Sequence, residues 1–162
     1  MEWNFLRSSY LMGIVEEADD FMDPEEADYG RACLVDNNLG IVEVGIETAL
    51  VLGEEPMPTS IMYASSDKVI LARWYYGETE AEALLRKLDW TTINNWESEL
   101  IINFHSDNQY LFDAACGGKD LQESMEYLLL RLIPGQYSVS TVEYAPNERN
   151  NFYLHRLVRI DY

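Results

Sequence analysis

Residues 69–76, Val-Ile-Leu-Ala-Arg-Trp-Tyr-Tyr, form the most apolar run in the chain. They constrain the fold most, because a short apolar run of this kind reads as a central strand of a sheet. The surrounding pattern agrees. Residues 41–44 and 49–52 flank Gly45 and read as a hairpin, and 60–64 as a third strand after the Gly/Pro-marked loop 53–58. Residues 100–104 and 110–115 read as a further hairpin joined near 106–108. Residues 137–144 and 152–160 are two long strands around a turn at 146–150, and the moderately apolar 1–15 offers a beginning strand.

Two helices are expected. Thr79 and Glu82 have capping-box spacing, in which each side chain satisfies the other's free backbone N–H, and Ala81, Leu84, Leu85 and Leu88 follow at helical spacing. Asp120 and Glu123 open a similar pattern, with Leu121, Met125, Leu128, Leu129 and Leu132 as its stripe and Pro134-Gly135 as its end. The expectation is therefore helices near 79–88 and 120–132 in an α+β fold. Two main helices would pack on a mostly antiparallel β-sheet, with 1–162 as one domain.

Charge narrows the partners. The chain carries 29 acidic and 11 basic side chains, a formal net charge of −18. Nucleic acid and anionic membranes would repel it, so a basic partner is favoured. Residues 16–28 hold eight carboxylates and no basic group. Such a run repels itself and reads as an exposed loop, or a loop leading into a short helix. Cys33 and Cys116 form no disulfide framework, which suits a reducing compartment. The first residues lack the pattern of a secretory signal, and no apolar run reaches the roughly 18 residues of a membrane span. A cytoplasmic location is expected.

No catalytic constellation stands out. His105 and His155 are the only histidines, and neither lies in a His/Cys cluster. Gly117-Gly118-Lys119-Asp120 is too short for a phosphate loop, and Asp36-Asn37-Asn38 with Glu47 lacks the glycine of a calcium loop, Ile41 standing there instead. No metal, cofactor or enzymatic activity is expected. Arg73, Asp113 and Arg156 are the informative polar residues, because each alternates with apolar neighbours on a strand. They read either as a structural network of buried ion pairs or as an anion-binding pocket of a small-ligand or regulatory module, since a buried charge needs a partner.

Several segments resemble one protein family. Asp28-Tyr29-Gly30-Arg31-Ala32-Cys33, Gly40-Ile41-Val42-Glu43-Val44-Gly45 and Ala49-Leu50-Val51-Leu52-Gly53-Glu54-Glu55-Pro56 are followed, in order, by Arg73-Trp74-Tyr75 and Leu111-Phe112-Asp113-Ala114-Ala115. Gly135-Gln136-Tyr137-Ser138-Val139 and Leu154-His155-Arg156-Leu157 complete the series. Together they resemble Immunity protein 21 of bacterial polymorphic-toxin systems. The resemblance implies a non-enzymatic protein that binds and neutralises a cognate toxin. Acidity independently suits a toxin with a basic cleft, such as a nuclease. On this reading Asp19, Asp20, Asp23, Glu25 and Glu26 would steer the partner, and Trp90 or Trp96 would anchor it.

Overall fold

The apolar run at 69–76 lies inside a six-stranded sheet. A computed structural model describes residues 4–6, 11–12, 28–35, 39–53, 57–77, 81–114 and 127–160. In chain order these are β1 (Asn4–Leu6), β2 (Leu11–Met12), α1 (Asp28–Cys33), β3 (Gly40–Val44), β4 (Glu47–Val51), β5 (Thr59–Ser65), β6 (Lys68–Tyr76) and α2 (Ala81–Lys87). There follow β7 (Glu97–Phe104), β8 (Asn108–Phe112), β9 (Tyr127–Arg131), β10 (Gly135–Asn147) and β11 (Asn150–Arg159).

Two antiparallel sheets result. One runs β1-β5-β6-β11-β10-β7 and the other β3-β4-β2-β8-β9. Alternation along each strand sends successive side chains to opposite faces, which builds a layered molecule. Val69 and Leu71 of β6, Val139 of β10 and Leu157 of β11 face Leu50, Leu111 and Leu130 of the other sheet. The far face of the six-stranded sheet carries Ile70, Ala72 and Leu154, covered by Ala81 and Leu85 of α2. On the outer side of the five-stranded sheet, Val42, Val51 and Phe112 are covered by Ala32 of α1. The layers therefore run α1, five-stranded sheet, six-stranded sheet, α2.

The mostly antiparallel sheet is as expected, but the two main helices are not. α1 has six residues and α2 seven. α2 falls within the expected 79–88, although Thr79 lies outside the described residues. The helix expected over 120–132 is contradicted over its second half. Residues 127–131 are β9, which pairs with β8 through Leu128↔Leu111 and Tyr127↔Phe112. Leu128, Leu130 and Leu132 point to the core at period two, while Tyr127 and Leu129 are exposed. Residues 120–126 lie outside the described residues.

A second correction concerns 100–115. Both strands exist, but they are not partners: β7 pairs with β10 and β8 pairs with β2 and β9. The chain thus crosses between sheets through His105–Asp107, and each strand buries its apolar residues from its own side of the shared core.

Candidate partner-binding surface

The β3–β4 hairpin is built on a two-residue loop, with Val44 opposite Glu47. Gly45 has φ 61°, and a Cβ there would meet nothing within 4 Å. Glycine is therefore needed for backbone conformation and not for space. A loop with positive φ only at its first residue belongs to the II′ class, which matches the twist of the flanking strands. The second loop residue is thrown outward. It is Ile46, fully exposed at 100%.

Two depressions flank this tip. The first, about 540 Å³, is lined by Leu34, Val35, Ile41 and Glu43 beside Arg31. Leu34 is 56% and Ile41 38% exposed. Arg31 is held by Asp28 and donates to the Glu43 carbonyl oxygen at 3.1 Å. The second, about 480 Å³, opens between the tip and the β7–β8 crossover. Buried Phe104 and half-buried Tyr110 line it with Glu47, Asn103, Asn108 and Gln109. Glu47 Oε2 stands 3.8 Å from His105 Nε2, both side chains being more than half exposed. A contact this exposed and this long contributes little, so the carboxylate remains open to a cation. Ile46 escapes a reading of the sequence by motifs. The available signal is a β-branched apolar residue in the loop of Val44-Gly45-Ile46-Glu47, where polar residues are usual.

Trp90 and Trp96 lie apart from this tip, over the six-stranded sheet. Trp90 opens a 3-10 turn at Trp90–Thr92, started by Asp89, whose side chain accepts from the Thr91 N–H. Asn95, with φ 61°, adopts the left-handed conformation that asparagine tolerates, just before Trp96. Both tryptophans are half-buried against the outer face of the six-stranded sheet. The Lys68 ammonium sits 4.6 Å from the Trp90 ring and the Arg156 guanidinium 4.4 Å from the Trp96 ring. The Trp96 indole N–H donates to the Ile93 carbonyl oxygen at 3.0 Å. These rings already serve cations of their own chain. Asp19, Asp20, Asp23, Glu25 and Glu26 lie outside the described residues. Asp28, the last residue of the acidic run, opens α1 and is buried at 8% exposure. Acidic and basic groups are nearly balanced among the described residues, so most of the −18 charge is carried by the rest of the chain.

Arg73 and Arg156 are not brought to one place. Arg73 pairs in register with Tyr153 and Arg156 with Ile70, which puts the two guanidinium groups on opposite faces of the same sheet. One pocket cannot be lined by both. Arg73 is fully buried on the face toward the second sheet. Arg156 donates to Ser140 Oγ at 3.2 Å, and burial draws its pKa down while the Glu99 charge acts against that. Asp113 follows β8 in the other sheet and adds to a raised Tyr29 pKa, whose first cause is the hydrogen bond to Cys33. His155 is fully buried on the same face as Arg73, with Nδ1 2.8 Å from Thr141 Oγ1. Burial first, then the Arg73 charge, holds its pKa well below the usual histidine range.

Among the described residues no group of three or more histidine, cysteine, aspartate or glutamate side chains is placed to hold a metal ion. No described helix is long and apolar enough to cross a membrane. No curated protein and no solved structure gave a match. Residues 9–150 match the family Immunity protein 21, and with most of its length inside that match, the chain belongs to the Immunity protein 21 family.

Proposed function

We propose that this protein is the non-enzymatic antidote to a cognate toxin of a bacterial polymorphic-toxin system, acting in the cytoplasm by covering the toxin's working surface. The family match over residues 9–150 carries this reading. The net charge of −18 supports a basic toxin, for instance a nuclease with a cationic cleft. Most of that charge lies outside the described residues, where Asp19, Asp20, Asp23, Glu25 and Glu26 form the densest group. We assign them to steering, and the whole chain to a single binding domain.

Co-expression with the protein encoded by the adjacent reading frame tests the reading. Rescue of growth together with co-purification is expected, and toxicity that persists beside well-folded protein refutes it. Steering has its own signature. Association should slow steeply between 0.1 and 1 M salt, because the screening length falls from about 10 Å to about 3 Å. Neutralising the five carboxylates together should flatten that dependence. An unchanged salt slope would remove the segment from the binding process and leave the antidote assignment in place.

A further inference from the structure

We propose that the cleft between the β3–β4 tip and the β7–β8 crossover seats an arginine side chain of the toxin, with Ile46 packed beside it on an apolar part of the toxin surface. The inference rests on the antidote reading and adds where and how the partner is held.

The lining carries the argument. The one carboxylate is Glu47, and no lysine or arginine lines the cleft. Arg131 stands opposite Asn108 in register, but it is not part of the lining. Gln109 uses its Nε2 to donate to the Ser106 carbonyl oxygen at 2.9 Å, which leaves its own amide oxygen as an acceptor. Ser106 Oγ accepts from the Asn108 N–H at 3.3 Å. Phe104 and Tyr110 add aromatic surface. A carboxylate, an amide acceptor and aromatic rings suit a planar guanidinium, which forks to oxygens and stacks on rings. A concave site with apolar walls and few polar groups is the usual form of a specific pocket.

Ile46 supplies the second half of the contact. A fully exposed isoleucine next to two depressions is placed to lose its contact with water only against a partner. Glu43 and Glu47 are exposed on the two strands either side of it, which sets carboxylates beside an apolar tip. That arrangement fits a basic partner with an apolar spot beside its arginine.

The test uses the intact protein and the toxin protein that it protects against. Ile46→Asp and Glu47→Lys are compared with Glu148→Lys, a reversal at an exposed residue on the β10–β11 turn. Thermal melting should show all three folded as the wild type is, since each side chain is exposed. Toxin affinity should fall at least tenfold for Ile46→Asp and Glu47→Lys, and less than threefold for Glu148→Lys. The Glu47→Lys loss should shrink in high salt. Wild-type affinity in both tip variants overturns the inference while the antidote reading stands. A loss confined to Ile46→Asp overturns the arginine assignment. Failure of the wild type itself to bind brings down both readings.

Discussion

Acidifying the solution should destabilise this protein through His155. Its imidazole is fully buried, with Nδ1 against Thr141 and Nε2 without a hydrogen-bond partner among the described residues. Burial and the Arg73 charge keep it neutral, with a pKa well below the usual range. In the unfolded chain the same group titrates near about 6.5. Below that pH the unfolded chain binds a proton that the folded chain refuses. The contribution to stability is therefore complete above about pH 6.5 and is lost as pH falls toward the folded pKa. Each pH unit in that window is worth at most about 1.4 kcal/mol, so stability should fall as pH moves from 7.5 to 5.0. Urea unfolding midpoints at constant ionic strength and pH 7.5, 6.5, 5.5 and 5.0 measure the slope. His155→Gln should flatten it, whatever its own stability. A wild type with a flat profile, or a variant with the same slope, would refute the reasoning.

Three further outcomes follow from the packing. Arg73→Ala removes a fully buried guanidinium, and urea unfolding should show a loss of about 3–5 kcal/mol. A double-mutant cycle on Arg156→Ala and Trp96→Ala should give a coupling of about 0.5–1 kcal/mol for the stacked pair, and a coupling near zero would mean that the stack is incidental. Leu85→Ala should cost about 2–5 kcal/mol, and hydrogen exchange should quicken across 81–93, because a seven-residue helix has no stability apart from the sheet it covers.

Much of the sheet was legible in the sequence. Residues 41–52, 60–64, 69–76 and 137–160 announce their strands by alternation and by the turn residues between them. β9 did not, because Leu128, Leu129 and Leu132 satisfy a helical stripe as well as Leu128, Leu130 and Leu132 satisfy a strand. Pairing with β8, a tertiary event, decides between them. The three residues between β7 and β8 resemble a hairpin loop, and only the presence of a second sheet separates the strands. Arg73 and Arg156 each announce an apolar strand face. Their placement on opposite faces comes from the register of β6 against β11, which one strand's periodicity does not contain. The candidate surface was less legible still. Aromatic bulk singles out Trp90 and Trp96, whereas Ile46 stands out only through its exposure, which composition does not record.

The order of strands in the larger sheet also bears on how the protein is made. β10 and β11 are the last strands in chain order, yet they lie between β6 and β7. A chain emerging from the ribosome can form the β5–β6 hairpin early, but β6 then shows an open edge and β7 has no neighbour in its sheet. Those unpaired edges are the kind that capture other chains. Pairing across β6 and β11 also joins residues far apart in sequence, which slows closure. The surplus of negative charge keeps such half-built chains apart while they wait. The six-stranded sheet is therefore closed only when the β10–β11 hairpin enters between β6 and β7.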